Sequence, residues 1–197
     1  MKQIVLASNN KGKINEIKKV FKNYDVLSIS DMEKILNKKL IVTENGDTFR
    51  KNALEKATTL YNQIGDEYLC VGDDSGISID ILNGFPGVYT ARWLDKDDHT
   101  KNLELLKKLK GVLKEERTCH YTTVIALKGK DITETFEYTL DGIISNMPRG
   151  KNGFGFDEIF ELPNGLTLGE LTLGEKLKVS PRKRTLYMVE KYIKDKQ

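Results

Sequence analysis

The sequence contains few of the residues that build metal clusters, disulfide frameworks or nucleophilic active sites. Among 197 residues there are only two cysteines, Cys70 and Cys119, and two histidines, His99 and His120. The cysteines lie far apart without metal-ligand companions at useful spacing, and Cys70, in the apolar run YLCVG, is expected to be a small buried hydrophobe. Neither histidine has a nucleophile or ligand partner at readable spacing, and no Gly-x-Ser-x-Gly motif is present. Covalent catalysis is therefore not predicted.

The chain also lacks a strong excess of charge and a long apolar run. Its 32 basic and 29 acidic side chains give a net charge of +3, which provides no bulk electrostatic case for nucleic-acid binding. No stretch approaches the ~20 apolar residues of a membrane span, and the N-terminal KQIVLA is too short for a signal peptide. With 39% hydrophobic and 31% charged residues, we expect one globular domain over 1–197, located in the cytoplasm, with no nucleic-acid or membrane partner.

The first third of the chain has the pattern of a βαβ unit. Residues 2–7 predict a buried strand, 13–21 a helix by apolar spacing, and 24–29 a second strand. Such a start usually gives a parallel strand pair in an α/β fold. Residues 30–46 are polar and are predicted to be irregular, with a further helix beginning at Thr48.

The remaining two thirds change from helical to antiparallel character. The predicted elements are strands at 68–72 and 77–82 separated by Asp-Asp-Ser-Gly, a helix at 98–110, a β-hairpin within 117–144, a Gly-rich loop at 148–157, a strand at 158–162 and a C-terminal helix of about 12–14 residues. The fold class that fits this order is α/β, with a mixed central sheet flanked by helices and arranged in two lobes.

A six-residue segment between the first strand and helix has the composition of a phosphate site. Its members are Ser8, Asn9, Asn10, Lys11, Gly12 and Lys13. Small residues, backbone N–H groups and cations at a helix N-terminus suit a phosphate chain. The Walker pattern is absent, because the first glycine is missing and Ile14 follows Lys13. Taken alone, the segment slightly favours a capped turn with solvated lysines over a phosphate site.

Adjacent carboxylates after the third predicted strand suggest a magnesium site. Asp73 and Asp74 are costly neighbours unless they meet a cation, and Mg²⁺ prefers a few carboxylate oxygens together with water and substrate phosphate. Glu44, in the loop before the helix that is predicted to begin at Thr48, could complete such a site. The alternative is a tight turn that Asp73 caps while Asp74 is solvated.

Two later segments carry residues suited to a nucleotide. In 150–160 the glycines can bring backbone close to a flat ring while Phe154 or Phe156 stacks on it, and Asp157 can accept hydrogen bonds from a base edge. The alternative is a flexible loop with both phenylalanines in the core. Near the C-terminus, Ser180 and Pro181 form a helix-start signal, and the basic run 182–184 at that helix N-terminus indicates a nearby anion. The alternative is a basic run that is simply solvated.

In this order, the segments resemble those of the inosine triphosphate pyrophosphatase family. The resemblance covers essentially the whole chain and lies in SNNKGKINE (8–16), ENGDTFRKNALEKA (44–57), DDSGISIDILNGFPGVYTARW (73–93), GFGFDEIF (153–160) and GELTLGEKLKVSPR (169–182). It implies a two-lobed α/β fold with a nucleotide cleft between the lobes, a homodimer, and Mg²⁺-dependent hydrolysis of purine nucleoside triphosphates to monophosphate and pyrophosphate. The substrates implied are ITP, dITP and XTP.

The resemblance also implies a role for each motif. The roles are triphosphate binding by Ser8, Asn9, Asn10, Lys11, Gly12 and Lys13, catalysis and metal binding by Asp74 with Ser75 beside it, metal binding by Glu44, and base or phosphate contacts by Phe154, Gly155, Phe156, Asp157, Lys176, Pro181 and Arg182. Asp74 would be the general base toward the attacking water.

Three positions depart from the family pattern. Pro181 stands where Ser-His-Arg would place histidine, so an imidazole and a backbone N–H are missing. Phe156 stands where tyrosine is frequent, and Lys51 replaces a glutamate. These departures keep two alternatives open, namely a pyrophosphatase with relaxed base specificity and a nucleotide-binding module with weak turnover.

Overall fold

The structure is a computed structural model that describes residues 3–196. Lys2, which the predicted first strand includes, lies outside the described residues, as do both ends of the predicted 1–197 domain. The described chain divides into two compact units. The first unit comprises 1–74, 123–138 and 182–197, and the second comprises 75–122 and 139–181.

The strands form one mixed sheet. Their bounds are β1 Gln3–Leu6, β2 Asp25–Ser28, β3 Leu69–Ile79, β4 Phe85–Pro86, β5 Thr118–Gly129, β6 Ile132–Ile144 and β7 Phe160–Glu161. The order is β2-β1-β3-β5-β6-β7, with β4 paired to β3. β1 pairs in parallel with both β2 and β3, whereas β4 and β7 pair antiparallel to β3 and β6. The α/β class, the mixed sheet and the parallel start are therefore confirmed.

Six α-helices accompany the sheet within residues 3–196. Their bounds are α1 Lys11–Val20, α2 Ile29–Leu36, α3 Phe49–Ile64, α4 Asp98–Lys108, α5 Leu173–Val179 and α6 Pro181–Asp195. The prediction that 30–46 is irregular is wrong at its start, because α2 occupies that region. Ser28 caps this short helix in a reciprocal box with Asp31, and Ile29 and Met32 are buried. A helix of two turns is too short to give a recognisable hydrophobic periodicity in the sequence.

The segment Asp-Asp-Ser-Gly lies inside a strand, not in a turn between two strands. β3 is continuous from Leu69 to Ile79, and both aspartates are buried. The predicted break was wrong because a run of polar residues was interpreted as a turn. A polar run can remain in a strand when its side chains have buried ionic partners, as Asp73 and Asp74 do below.

In the first unit, alternation along β1 fills two cores. Ile4 and Leu6 belong to a cluster that includes residues of α1 and α6, whereas Val5 and Ala7 belong to a cluster with residues of α2 and α3. A strand covered on both sides carries a continuous apolar run, as QIVLA does. The core of the second unit forms around Ile77 and Ile79 of β3 together with residues of α4 and of the 156–171 segment.

Candidate active site

In the first unit, the segment before α1 forms a capped helix N-terminus. Asn10 is the N-cap, and its Oδ1 accepts the Lys13 N–H at 3.0 Å. Ser8 Oγ accepts the Asn10 N–H at 3.1 Å, and Asn9 Oδ1 accepts two hydrogen bonds from Ser30 at 3.0 and 2.9 Å. The capped turn and the phosphate seat are therefore compatible, since a helix N-terminus is itself an anion site.

The predicted lysines of this segment lie in different surroundings. Lys11 is exposed and Gly12 is half-buried. The Lys13 ammonium reaches β3, where Nζ lies 2.5 Å from Asp73 Oδ1 and donates to the Asp73 carbonyl at 3.1 Å. Burial lowers the pKa of Lys13, and the negative charge of Asp73 offsets part of that effect.

Asp73 has a second cationic partner. Arg182 Nε donates to Asp73 Oδ2 at 2.7 Å, and Arg182 Nη1 donates to Glu16 Oε2 at 2.8 Å. Burial favours the neutral form of Asp73, but the charges of Arg182 and Lys13 outweigh it and hold the pKa of this carboxyl well below its usual range. The predicted residues Lys13 and Arg182 therefore meet at Asp73.

Lys56 joins the two carboxylates predicted to bind metal. Its Nζ donates to Asp74 Oδ1 at 2.7 Å, forms an ion pair with Glu44 Oε2, and lies 3.4 Å from the Asp73 carbonyl. Burial opposes the charged form of Lys56, but the charges of Asp74 and Glu44 outweigh it and raise the pKa. Asp74 and Glu44 thus converge on one cation.

Lys56 and Glu16 were missed by the sequence predictions. A signal for Lys56 was available, because it lies on α3 between Ala53 and Ala57, which are both fully buried. A lysine within an apolar helical stripe needs a buried acidic partner. Glu16 lies beside Ile17 on the buried side of α1 and carried no comparable motif signal.

Asp74 keeps one oxygen without a hydrogen bond. Its Oδ2 is buried and has no hydrogen-bond partner among the described residues. Burial raises the pKa of Asp74, and the charge of Lys56 opposes that shift. Orphaned buried polar atoms are rare in folded proteins and call for an explanation such as a catalytic role or an ion.

A glycine allows β3 to approach α3 closely enough for these contacts. A Cβ on Gly72 would lie 1.9 Å from the Ala53 carbonyl oxygen. Any side chain would separate the strand from the helix, and with it Asp73 and Asp74 from Lys56. The loop that carries Glu44 is held by α3 as well, because Asn52 Oδ1 accepts the Gly46 N–H at 2.7 Å.

Lys51, the departure from the family pattern on α3, pairs with Asp47. The two side chains are 2.8 Å apart, and both are mostly exposed. α3 places Lys51 at an exposed position and Lys56 at a buried one. Lysine at position 51 therefore forms a surface ion pair with Asp47, which precedes the helix.

In the second unit, the Gly-rich loop assembles an aromatic ring with an ion pair. Lys176 Nζ lies 2.6 Å from Asp157 Oδ2 and 4.7 Å from the centre of the Phe154 ring. The same Asp157 oxygen accepts the Phe154 N–H at 2.7 Å. Asp157 and Lys176 are both buried, whereas Phe154 is half-buried.

Gly153 is required for this arrangement. Its φ is +85°, and a Cβ there would lie 1.9 Å from Asp157 Oδ2 and 3.1 Å from Lys176 Nζ. A left-handed backbone and a close approach therefore coincide at one residue.

The other predicted residues occupy separate positions. Phe156 is 4% exposed and belongs to the apolar core of the second unit. Ser75 follows Asp74 in β3 and is half-buried. Pro181 is the first residue of α6, which confirms the predicted helix start.

The described residues provide a pair of candidate metal ligands. Within 3–196, no group of three or more His, Cys, Asp or Glu side chains is arranged to hold a metal ion. A magnesium site does not require one, because Mg²⁺ commonly uses one or two protein carboxylates and completes its shell with water and phosphate. In the same residues, no helix is both long and apolar enough to cross a membrane.

The fold and the cluster define an α/β protein with a buried network of ion pairs in its first unit. A family model described as the Ham1 family matches residues 4–192, and the chain belongs to that family. This agrees with the resemblance found in the sequence.

Named relatives match over nearly their whole length. A dITP/XTP pyrophosphatase of Bacillus licheniformis is 38% identical over 193 residues, covering 94% of this chain and 95% of the relative. The solved Ham1 protein of Staphylococcus aureus matches with a TM-score of 0.87 and 32% identity over 100% of both chains. A solved nucleoside-triphosphatase / dITP/XTP pyrophosphatase of Mycobacterium abscessus matches with a TM-score of 0.76 and 35% identity, covering 95% of this chain and 98% of that one.

Proposed function

We propose that this protein hydrolyses noncanonical purine nucleoside triphosphates, namely ITP, dITP and XTP, to the monophosphate and pyrophosphate. The names of its relatives support the reaction class. The observation that carries the proposal is the ion cluster of the first unit, in which Lys56 joins Asp74 to Glu44 while Lys13 and Arg182 meet at Asp73. Such an enzyme removes damaged nucleotides from the pool.

The phosphate side of the reaction belongs to α1 and β3. Lys13 lies in the first turn of α1, where backbone N–H groups and the helix dipole favour anions. A triphosphate at this N-terminus would compete with Asp73 for the Lys13 ammonium. Because Arg182 also holds Asp73, the carboxylate keeps a cationic partner when Lys13 turns toward the ligand.

The charge count of the cluster favours a divalent cation. Glu16, Glu44, Asp73 and Asp74 formally outnumber the cations Lys13, Lys56 and Arg182. A metal ion bound beside these carboxylates would reduce their repulsion of a polyanionic substrate.

We propose Mg²⁺ as that cation, with Asp74 and Glu44 as its protein ligands. The buried Asp74 Oδ2 has no hydrogen-bond partner among the described residues, and both carboxylates already converge on the Lys56 cation. The donor set fits, because hard oxygen ligands suit this ion. When bound, the ion would neutralise phosphate charge and acidify water.

Asp74 is the residue we assign to the attacking water. This carboxylate would be held in its ionised form by a bound Mg²⁺, so Asp74 would orient a water that the ion has acidified. The Lys56 ammonium bonds Oδ1, so Oδ2 is the oxygen that would face the ion and the water bound to it. A general base of this kind contributes about 10²–10⁴-fold to the rate.

The base-reading residues we assign are Phe154, Asp157 and Lys176. An aromatic ring offers a stacking face, while an ammonium donor beside a carboxylate acceptor complements the edge of a 6-oxopurine, which presents O6 as acceptor and N1–H as donor. Adenine reverses that pattern with an amino donor and an unprotonated N1. The pair therefore favours ITP and XTP over ATP.

Relaxed base specificity is the second candidate. It is favoured by Pro181 at the first position of α6, which supplies no backbone N–H to a base carbonyl. On this alternative, the discrimination lost would correspond to one hydrogen bond, roughly 1–3 kcal/mol. A homodimer in the cytoplasm is proposed on the family resemblance alone, and light scattering on the purified protein tests the dimer.

A substrate panel tests the proposal. ITP, XTP, dITP, ATP, GTP and CTP are incubated with the protein, with Mg²⁺ or with a chelator, and pyrophosphate and orthophosphate are measured separately. The proposal expects Mg²⁺-dependent pyrophosphate release, with kcat/KM for ITP and XTP above that for ATP. Orthophosphate release, or tight ITP binding without turnover, would contradict it. Comparable turnover of all six would favour relaxed specificity.

A further inference from the structure

The first turns of α4 hold both peptide groups of Gly155 in the Gly-rich loop. Asp98 Oδ2 accepts the Gly155 N–H at 2.8 Å, and Asn102 Nδ2 donates to the Gly155 carbonyl at 2.8 Å. Asp98 and Asn102 are four residues apart and therefore lie on one face of the helix. No motif in the sequence marked either residue.

A second attachment lies three residues further along the loop. Asn102 Nδ2 also donates to Glu158 Oε1 at 2.9 Å, and His99 Nδ1 lies 2.9 Å from the same oxygen. Asn102 is 1% exposed, so its amide is committed to these contacts. The α4 face thus contacts the loop on both sides of Phe156 and Asp157.

The helix that carries these contacts is itself well fixed. Asp97 caps it, with Oδ1 accepting the Thr100 N–H at 2.9 Å. Leu105 and Leu109 are fully buried in the core of the second unit. A side chain on such an element holds its partner more accurately than one on a loop.

The loop needs this support because its own backbone is permissive. Gly150, Gly153 and Gly155 all have positive φ, and glycine samples many alternatives to such conformations. Gly155 directly follows Phe154, so the peptide bond between them carries the N–H that Asp98 accepts. Asp98, Phe154 and Glu158 also line one pocket of about 260 Å³.

We propose that Asp98 and Asn102 are positioning residues for base recognition, which fix the orientation of Phe154 and Asp157 through the backbone of Gly155. This inference rests on the proposed function, since it assigns the loop to base reading. Neither residue needs to touch the substrate. Their removal should weaken selectivity between bases and leave the phosphate chemistry of the first unit in place.

Matched variants separate the hydrogen bond from helix stability. Asp98→Ala removes the acceptor, whereas Asp98→Asn retains an acceptor oxygen and should keep the contact. Asn102→Ala removes both donated bonds. Asp97→Ala weakens the N-cap without touching the loop, and Lys107→Ala alters an exposed residue of α4.

Two readouts are measured on the full-length protein. Hydrogen exchange of the peptide covering 150–158 reports whether α4 holds the Gly-rich loop, and steady-state kinetics with ITP and ATP report selectivity between the bases. In Asp98→Ala and Asn102→Ala, exchange should accelerate, and the ITP-to-ATP ratio of kcat/KM should fall on the order of 10-fold to 100-fold, mainly through KM for ITP. Asp98→Asn and Lys107→Ala should resemble the wild type in both.

Each outcome decides a separate question. Unchanged hydrogen exchange in Asp98→Ala and Asn102→Ala would show that these side chains do not hold the Gly-rich loop. Faster exchange with an unchanged ratio, or an equal fall of the ratio in Asp97→Ala, would overturn the role in selectivity. If the wild type hydrolyses none of the nucleotides, the proposed function fails and the selectivity role fails with it, while the exchange data still decide whether α4 holds the loop.

Discussion

Each unit contains one candidate cluster, and the two clusters hold their buried charges in different surroundings. In the first unit, Asp73 has two cationic partners and Lys56 two carboxylate partners, so every charge is shared. In the second unit, the buried Asp157 carboxylate contacts the Lys176 ammonium beside the Phe154 ring, and Asp157 and Phe154 lie on a loop rich in glycine. The first arrangement suits phosphate and metal, and the second suits a flat uncharged base. The proposed function accordingly assigns catalysis to one unit and base selection to the other, and the predictions below challenge that division.

The largest expected effect is on catalysis in the first unit. Asp74→Asn keeps the size of the side chain and an oxygen for Lys56, but removes the proton acceptor. We expect kcat for ITP to fall by about 10²-fold or more, because general-base contributions are of that order. Steady-state pyrophosphate release measures this, and Glu104→Gln on α4 is the matched acid-to-amide control. Turnover within a fewfold of wild type would remove Asp74 from the mechanism.

Next in size is the difference in stability between two buried aspartates. Asp73→Asn leaves Lys13 and Arg182 without their shared carboxylate, and breaking a buried ion pair costs about 3–5 kcal/mol. Asp157→Asn removes the charge that faces Lys176 but keeps an acceptor for the Phe154 N–H, so a loss at the lower end of that range, about 3 kcal/mol, is expected.

Urea unfolding of both variants, followed by circular dichroism at neutral pH, measures this difference. A loss for Asp157→Asn equal to or greater than that for Asp73→Asn would contradict the larger stabilising role assigned to the Asp73 carboxylate.

A smaller effect should separate close approach from backbone strain. Gly153 and Gly165 have φ values of +85° and +82°, but a Cβ would strike the Asp157 carboxylate only at Gly153, with nothing within 4 Å at Gly165. We expect Gly165→Ala to cost about 1–2 kcal/mol for the left-handed backbone. Gly153→Ala should cost more and should raise KM for ITP. Equal unfolding free energies for the two variants would contradict the packing argument.

The smallest effect is a pH dependence confined to the second unit. The Asp141 hydrogen bond, assisted by the charge of Asp80, raises the pKa of His120 above its ordinary value of 6.5. Stabilisation is therefore fully present below pH 6.5 and is lost as the pH rises through the higher folded-state pKa. Because these side chains are partly exposed, we expect only a few tenths of a kcal/mol. Unfolding free energies between pH 5.5 and 8 measure it, and His120→Gln should remove that part of the slope.

Much of this architecture follows from local patterns. The βαβ start, the hairpin, and the C-terminal helix beginning at Pro181 were predicted because alternation, helical spacing and cap residues are properties of short segments. The helix α2 and the continuity of β3 were not. A two-turn helix gives little periodicity, and the aspartates of β3 remain in a strand only because cations from other segments meet them.

The candidate site shows the same limit. Lys13, Glu44, Asp74 and Arg182 were predicted from residue type and motif, and the structure places them in one ion cluster of the first unit. The sequence did not predict the residues that support each cluster, which are Lys56 and Glu16 in the first unit and Asp98 and Asn102 in the second. The contacts of Glu16, Asp98 and Asn102 join residues 53 to 166 positions apart, which no local pattern reports, whereas the apolar helical surroundings of Lys56 offered a signal.

The most direct test of the division between the units is one kinetic experiment with two variants. Asp74→Asn and Lys176→Met are compared with wild type for kcat and KM on ITP and ATP in Mg²⁺, with unfolding curves to confirm that each variant folds. We predict that Asp74→Asn lowers kcat equally for both nucleotides and preserves their ratio of kcat/KM. Lys176→Met should preserve kcat and lose the preference for ITP. A lost preference in Asp74→Asn, or equal losses for both nucleotides in Lys176→Met, would contradict the assignment of catalysis to one unit and base selection to the other.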